Sequence, residues 1–416
     1  MSLSRRGFLR TVAGGLALGA LGAFPAGALA DEQSASPGMV RLGAPPGLQA
    51  ARAYLLDVAR SCVVNRGNGS VMAPGAGGDY AAGDQTWIRP SDFYHDCFSR
   101  DSFWVLAALQ SRALLDVVRQ RFHIDQAGHV DGHVATSLRL DGAVPEGRDR
   151  DDESTLLDVL REYEYALLGG TPDLDSLGRS LQYIQAHLQS GFYVTVGDAS
   201  TGAFHYWADT LRTPNPQAIA YNQGLACVAL EALDRMGLPV RVDLKAAARR
   251  TYASMAGTAD DAVMPQRLHS AALDVSALAG DALSLYYFNS QLLPDARVQA
   301  TFDRWTGSGA VYAGGFLGFR VLTNFDGSYL SHSEFVGPES IPGNYHNGGS
   351  WLLYDALALY SAARHGIAKA ADLLMQRVAS EFDRSHAFHE FTRTSPTIVD
   401  VRSGYGWNSF VGNLLA

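Results

Sequence analysis

The stretch that decides the fold class is residues 154–165, which read STLLDVLREYEY. Its apolar side chains recur three and four positions apart, a spacing that places them on one face of a helix. They are Leu156, Leu157, Val159, Leu160, Tyr163 and Tyr165. Residues 228–233 and 352–360 have the same pattern. The three stretches therefore predict helices that each bury an apolar stripe.

The helical period continues outward from these stretches through most of the chain. Predicted helices cover residues 49–65, 101–121, 154–169, 173–190, 219–236, 242–257, 270–285, 291–305, 347–365, 367–383 and 405–415. Strand-like runs are few, at residues 192–196 and 309–312. Clusters of Pro and Gly separate the helices, and the loops between helix pairs are long. We therefore expect an all-α toroid with its long loops at one mouth, formed by residues 49–416 as one domain.

The composition is that of a globular protein with ample material for a core. Hydrophobic residues make up 47% of the chain and charged residues 18%, which excludes a disordered chain and a coiled coil. The 33 basic and 42 acidic residues give a formal net charge of −9, and no basic run is present. An acidic balance argues against nucleic acid and anionic membrane surfaces as partners.

The first thirty residues predict an export signal that is separate from the fold. Residues 1–30 contain paired arginines, then a short apolar run, and end in Ala-Leu-Ala. Because Phe-Leu follows the arginines closely, the segment resembles a twin-arginine signal, and we expect cleavage after Ala30 and an exported protein without membrane contact. An uncleaved N-terminal anchor is the alternative. Residues 31–48, rich in Ser, Pro and Gly, predict a flexible arm.

The three cysteines leave the disulfide state open. Cys62, Cys97 and Cys227 are too few for a disulfide framework. A Cys62–Cys97 disulfide is the plausible pairing in an oxidising compartment, and buried free thiols are the alternative.

The histidine pairs of the sequence do not predict a metal site. His129 and His133 enclose Asp-Gly, a poor helix former, so the spacing does not place them on one helical face. His386 and His389 lack a nearby third ligand. The Gly-rich loops of nucleotide-binding proteins and the serine-hydrolase elbow are also missing. We therefore expect no metal and no cofactor.

Aromatic and polar residues concentrate in four clusters outside the helical stripes. The clusters are residues 87–104, residues 149–154, residues 204–224, and residues 344–351 together with 389–391 and 404–408. Aromatic faces stack on the CH face of a sugar, while Asp, Asn, Arg and His bond its hydroxyls. Hydrolysis of a glycosidic bond needs two carboxyl groups, one protonated and one ionised. This mixture predicts a carbohydrate substrate.

The C-terminal cluster resembles the neutral/alkaline invertases and the glucoamylase- and debranching-type glycoside hydrolases of the six-hairpin glycosidase superfamily. Residues 346–351 read HNGGSW, Glu390 follows between aromatic residues about forty positions later, and Trp407 lies in an aromatic-rich helix. Residues 100–104 (RDSFW) and 152–157 (DESTLL) resemble two earlier helix starts of the superfamily. The YNQG of 221–224 also recurs in these relatives, and the resemblance covers about residues 80–416.

The resemblance implies an (α/α)6 toroid that hydrolyses glycosidic bonds with inversion. Asp152 matches the general acid and Glu390 the general base. The residues that match sugar-binding positions are Arg100, Asp101, His346 and Asn347. Because Asp151, Asp152 and Glu153 are consecutive acids, the register of the acid stays open by one residue.

Further substrate-binding candidates come from the aromatic and polar clusters themselves. They are His95, Trp104, Trp207, Asp209, Tyr221, Asn222 and Trp407. Structural interpretations stay open beside the functional ones. Asp152 also suits the cap of the helix that begins near Ser154, and Trp104, Trp351 and Trp407 also suit the core.

Two other kinds of protein fit the same clusters. A polysaccharide lyase or sugar epimerase on the same toroid would use Tyr94, His95, His205 and Tyr206 in place of a carboxylate pair. A non-catalytic carbohydrate-binding protein would need neither set. A hydrolase is the leading hypothesis, and it requires Asp152 and Glu390 to face one cavity. The sugar, its linkage and the oligomeric state are left open.

Overall fold

The structure is a computed structural model. It describes residues 39–43, 45–65, 86–91, 94, 96–139, 142–145, 152–198, 200–307, 309, 311–394 and 403–416. The predicted export signal lies outside the described residues. Among the helices of these ranges, none has the length and apolar content to cross a lipid bilayer.

The described residues form twelve α-helices in chain order. They are α1 Gln49–Ser61, α2 Ser99–Leu109, α3 Arg112–Gln126, α4 Ser154–Leu167, α5 Leu174–His187, α6 Ala220–Arg235, α7 Val242–Ala253, α8 Ala279–Phe288, α9 Asp295–Gly307, α10 Leu352–Arg364, α11 Ala368–Ser385 and α12 Val411–Leu414. A 3₁₀-helix, Gly406–Phe410, leads directly into α12.

Two concentric rings of helices confirm the predicted (α/α)6 toroid. The inner ring closes on itself in the order α2, α4, α6, α8, α10 and residues 406–414, with each member packed on the next. Helix α1 packs against residues 406–414, so the two chain ends together form the sixth hairpin. Burial separates the rings: every residue of α8 is buried, whereas α9 buries only one stripe, Val298, Thr301, Phe302 and Trp305.

Short antiparallel strands lie in the loops between helices. They are β1 Val63–Asn65, β2 Thr86–Ile88, β3 Cys97–Phe98, β4 Ser137–Leu138, β5 Leu188–Gln189, β6 Phe192–Thr195, β7 Gln217–Ala218, β8 Ala272–Asp274, β9 Tyr312–Gly314, β10 Gly318–Phe319 and β11 Leu322–Asn324. The pairs are β1–β2, β3–β4, β8–β11 and β9–β10, and β6 lies between β5 and β7. Strands β3, β7 and β8 each lead into an inner helix, which fixes the loops at one mouth.

Several predicted elements have other bounds in the structure, and three of these differences are instructive. The predicted helix over 101–121 is two helices, because Gln110 adopts a left-handed conformation (φ 51°) that ends α2 and Ser111 caps α3. The predicted helix over 270–285 begins later, since residues 272–274 pair with β11. The predicted strand over 309–312 lies at Tyr312–Gly314.

The described part of the predicted flexible arm is packed on the toroid. Val40 N–H donates to Tyr286 O at 3.1 Å, and Leu42 N–H donates to Leu414 O at 3.1 Å. Tyr360 Oη donates to Val40 O at 2.5 Å. These partners lie at the carboxyl ends of α8, α12 and α10. Residues 39–43 of the predicted arm (31–48) therefore cross that end of the toroid in contact with it.

The structure also decides between the two disulfide states within the described chain. All three cysteines are buried as thiols, and Cys62 and Cys97 form no disulfide. Cys62 Sγ donates a hydrogen bond to Pro90 O at 3.5 Å instead.

Candidate active site

A cavity of about 410 Å³, counted to its open mouth, lies at the amino ends of the inner helices. The described residues that line it are Tyr94, Phe98, Arg100, Asp101, Trp207, Asp209, Tyr345, His346, Trp351, Glu390, Tyr405 and Trp407. Three carboxylates, one guanidinium and a wall of aromatic rings thus meet in one place.

The turn before α10 brings two of the lining residues to the cavity. In the HNGGSW stretch the helix begins only at Leu352, because residues 344–349 form tight turns. Gly348 has φ 83°, and a Cβ there would lie 2.5 Å from the Tyr329 ring, so only glycine fits. These turns direct Tyr345 and His346 toward the cavity.

Arg100 is the fixed cation of the cavity. Its Nη1 lies 2.8 Å from Glu153 Oε1, and its Nε lies 3.7 Å from Asp101 Oδ2. The guanidinium also lies 5.4 Å from the centre of the Trp407 ring. Burial opposes the charge, but the two carboxylates outweigh burial and raise the pKa of Arg100 well above its usual range. Arg100 therefore stays charged at any physiological pH.

Burial raises the pKa of both carboxyl partners of Arg100. For Asp101, the Arg100 charge and the nearby Tyr405 hydroxyl act in the opposite direction. For Glu153, Arg100 and the Tyr221 hydroxyl oppose the rise. Asp101 lines the cavity, whereas Glu153 lies behind Arg100.

Glu390 lies in residues 386–394, the described segment that follows α11, and this segment is fixed at several points. Tyr94 Oη donates to Glu390 Oε1 at 3.3 Å. Thr392 and Ser350 exchange two backbone hydrogen bonds of 2.8 Å, and Asn408 Nδ2 donates to His389 O at 2.7 Å. The side chain of Glu390 is therefore presented to the cavity from a braced segment.

Asp209 is the most accessible of the three cavity carboxylates. Its side chain is 19% exposed, compared with 1% for Asp101 and Glu390. Asp209 Oδ1 lies 3.8 Å from His346 Nδ1. Burial, and then the charges of Asp209 and Glu390, raise the pKa of Tyr345 well above its usual range. The Tyr345 hydroxyl is thus within electrostatic reach of both carboxylates.

His346 is a neutral member of the aromatic wall. Burial and the charge of Arg100 lower its pKa well below the usual range. Its Nδ1 lies 2.8 Å from Thr210 Oγ1. The ring stacks on Trp351 at 5.1 Å and meets Trp207 edge-on at 5.2 Å. The imidazole therefore contributes a hydrogen-bonding edge and an apolar face, not a charge.

The structure brings seven of the predicted site residues to the cavity. They are Glu390, Arg100, Asp101, Trp207, Asp209, His346 and Trp407. Their positions fit the expected carbohydrate site, and their roles stay predictions.

Asp152, the predicted general acid, is not at the cavity. Its Oδ1 accepts a hydrogen bond from Tyr183 Oη at 2.8 Å, and its Oδ2 accepts from Val196 N and Gly197 N at 2.9 and 3.2 Å. The expected meeting of Asp152 and Glu390 in one cavity is therefore wrong, because the fully buried carboxylate of Asp152 holds the loop after β6. A pair of catalytic carboxyl groups has to come instead from those that line the cavity, Asp101, Asp209 and Glu390. Glu153, one position later, faces Arg100 instead.

Four predicted binding residues lie behind the cavity lining and need the same correction. Trp104 packs on Phe410 at 5.0 Å inside the toroid. Asn222 Nδ2 donates to His205 O at 2.8 Å, and Asn347 Nδ2 donates to Leu330 O at 3.0 Å. Tyr221 is buried beside Tyr354. These side chains support the site without lining it; His95 lies outside the described residues.

Five lining residues were not among the predicted hydrolase site residues. They are Tyr94, Phe98, Tyr345, Trp351 and Tyr405. Each of the five lies inside or beside one of the aromatic and polar clusters of the sequence. Membership of a cluster was therefore the sequence signal that could have identified these residues. Of the set proposed for a lyase, His205 bonds Thr195 and Tyr206 bonds Asp274, both away from the cavity lining.

The histidine pairs take structural positions. The rings of His129 and His133 lie 3.8 Å apart, next to Asp125 and Asp131 respectively. Within the described ranges, no group of three His, Cys, Asp or Glu side chains is arranged to hold a metal ion.

The fold is similar to solved glycosidase structures over most of the chain. A structure described as a wild-type glycosidase matches with a TM-score of 0.57 at 14% identity, covering 89% of this chain and 95% of its own. The glucoamylase of Saccharomycopsis fibuligera matches with 0.56 at 10% identity, covering 91% and 97%. A GH63 mannosylglycerate hydrolase from Thermus thermophilus, solved with glucose, matches with 0.56 at 10% identity, covering 88% and 99%.

These likenesses show that the chain shares the (α/α)6 fold of these solved structures. By sequence, no family model and no curated protein matches it. Sequence identities of 10–14% support a common fold, whereas the chemistry of the protein follows from the residues of its cavity.

Proposed function

We propose that this protein is a glycoside hydrolase. The observation that carries the proposal is the meeting of Asp101, Asp209 and Glu390 around one aromatic-walled cavity at the mouth of the toroid. Hydrolysis needs two carboxyl groups that flank the scissile bond, and ring faces such as those of Trp207 and Trp407 suit the CH faces of a sugar. Fold similarity to glycosidases adds support.

Glu390 and Asp209 take the two catalytic roles in this proposal. Glu390 accepts a hydrogen bond from Tyr94, which orients its carboxylate at the cavity as a general base requires. Asp209 is the most accessible carboxyl group and so can reach a leaving group at the mouth. Asp101 lies against Arg100, and both suit the binding of sugar hydroxyls.

The proposed reaction inverts the anomeric centre. Asp209 gives its proton to the glycosidic oxygen as the bond between that oxygen and the anomeric carbon breaks. Glu390 takes a proton from the water whose oxygen forms the new bond from the opposite face. We infer a small substrate, or the end of a short oligosaccharide, because buried aromatic side chains, Trp207, Trp351 and Trp407, wall the cavity.

Activity and stereochemistry test this function together. The purified protein is incubated with a panel of chromogenic glycosides and natural disaccharides, and the anomer released is followed by NMR. Hydrolysis with inversion, abolished in Glu390→Gln, is the expected result. An unsaturated product absorbing in the ultraviolet would indicate a lyase, and sugar binding without turnover would indicate a binding protein; either result overturns the proposal.

Export through the 1–30 signal is also proposed, supported by the paired Arg5 and Arg6 before an apolar run. The expected product is an exported protein that begins at Asp31. Replacing both arginines with lysine should retain the protein inside the cell. Unchanged export of that variant would contradict the twin-arginine route.

A further inference from the structure

A buried ionic cluster lies directly behind the loop that carries Glu390. It contains Arg377 and Glu381 from α11, Asp355 from α10, and His389 from the loop itself. We propose that Glu381 is a positioning residue, which sets the place of Glu390 by holding the preceding residue, His389. This inference rests on the proposed function of Glu390 as a general base.

The contacts of Glu381 divide between the loop and the helix. Its Oε1 accepts a hydrogen bond from His389 N at 3.0 Å and lies 3.4 Å from His389 Nδ1. Its Oε2 accepts a hydrogen bond from Arg377 Nη1. One carboxylate therefore links the backbone next to Glu390 to the outer helix α11.

The other side of the cluster ties the same arginine to the inner ring. Arg377 Nε donates to Asp355 Oδ2 at 2.9 Å, and Ser350 Oγ donates to the same oxygen at 3.1 Å. The backbone of Ser350 in turn pairs with Thr392, two residues after Glu390. The base is thus braced on both sides of its own position in the chain.

Electrostatics keep the Arg377–Glu381 pair ionised although it is buried. Burial would lower the pKa of Arg377, but Glu381 and Asp355 outweigh burial and raise it. Burial would raise the pKa of Glu381, but the Arg377 charge and the bonds from His389 lower it. A buried ion pair adds little net stability, because desolvation offsets the attraction. Its placement against the Glu390 loop therefore points to geometry as its contribution.

Glu162, at the other end of the toroid, has contacts similar to those of Glu381 and serves as a control. Glu162, near the carboxyl end of α4, bonds Arg119 at 3.0 Å and accepts from the backbone N–H of Asp173 at 2.9 Å. His123 lies 3.4 Å from the same carboxylate. Glu162 and Glu381 thus have the same kinds of partner, each contacting its own arginine, histidine and backbone N–H. Glu162, however, holds a loop that is remote from the cavity lining.

The test compares Glu381→Gln and Glu381→Leu with Glu162→Gln and Glu162→Leu. For each protein, kcat, KM, the thermal midpoint and hydrogen exchange of a peptide spanning residues 386–394 are measured. At position 381 we expect kcat to fall at least about tenfold with KM changed less than about threefold, since a small misplacement of a reacting group is costly. The glutamine variant keeps an acceptor for His389, so its kcat should fall less than that of the leucine variant. Exchange in the 386–394 peptide should rise in both.

At position 162 we expect a similar loss of thermal midpoint, with kcat and exchange of the 386–394 peptide unchanged. Equal kcat losses at the two positions, or unchanged exchange in Glu381→Gln, would overturn the inference. If Glu381→Leu fails to fold, Glu381→Gln decides alone. The wild-type protein could show no glycosidase activity while the 386–394 peptide still exchanges faster in Glu381→Gln. That result would overturn the hydrolase function but support the role of Glu381 in holding the Glu390 segment.

Discussion

The guanidinium of Arg100 lies 2.8 Å from the carboxylate of Glu153, which is buried behind the cavity lining. Arg100 lines the cavity and Glu153 does not, so the acid acts on any ligand through the arginine. The donation from Arg100 Nη1 to Trp207 O at 3.4 Å extends this link to the aromatic wall.

Replacement of Glu153 with Gln should weaken sugar binding more than it slows the chemical step. Loss of the carboxylate leaves the Arg100 charge incompletely compensated in a buried place, which costs about 3–5 kcal/mol when one partner of a buried pair is removed. We expect KM to rise and the free energy of unfolding to fall, as measured by steady-state kinetics and chemical denaturation. Asp243→Asn, at an exposed pair with Arg241, is the control and should change neither.

Replacement of Asp152 with Asn should reduce stability and spare activity. Asparagine keeps only one oxygen, so its amide nitrogen must face either Tyr183 Oη or the N–H groups of Val196 and Gly197, and the hydrogen bonds on that side are lost. Hydrogen bonds to a charged group contribute about 1.5–3 kcal/mol each, so thermal denaturation should show a lower midpoint. A kcat that falls as far as in Asp209→Asn, with an unchanged midpoint, would restore Asp152 as the general acid.

The free energy of unfolding should depend on pH through the titration of Glu164. Burial raises the pKa of this carboxyl group from 4.5 to about 7, while the bond from Tyr287 and the charge of Arg41 oppose the rise. Because the folded state holds the proton more tightly, this stabilisation is full below the unfolded pKa and is lost as pH rises through about 7.

Glu164→Gln removes this titration and keeps the shape of the side chain. Between pH 5 and 8, we expect the wild-type protein to lose roughly 2.5 kcal/mol of unfolding free energy relative to the variant. Chemical denaturation at several pH values measures the difference. Parallel pH profiles for the two proteins would show that Glu164 is not the group responsible.

The sequence predicts the toroid well because its signal is local and repeated. Apolar periodicity of the kind seen in residues 154–165 recurs in nearly every helix, and the two rings follow from burying those stripes. The break at Gln110 escapes this signal, since a single left-handed residue leaves the apolar pattern on both sides intact.

The site is predicted less completely, because the direction in which each side chain points decides whether it reaches the cavity. Asp152 and Glu153 are adjacent acids of similar chemistry, and only the backbone at the start of α4 turns one to Val196 and the other to Arg100. Glu381 carries no sequence signal at all, because it lies in the amphipathic helix α11 like any outer-ring acid. Its link to His389 appears only when the chain is folded.

The most direct test of a catalytic pair formed by Asp209 and Glu390 is the rate at which their variants cleave a glycoside and the matching glycosyl fluoride. Fluoride leaves without protonation, so Asp209→Asn should lose about 10²–10⁴-fold on the glycoside and much less on the fluoride. Glu390→Gln should lose activity on both, because each reaction needs the activated water. Equal losses of Asp209→Asn on the two substrates, or full activity of either variant on the glycoside, would contradict the assignment.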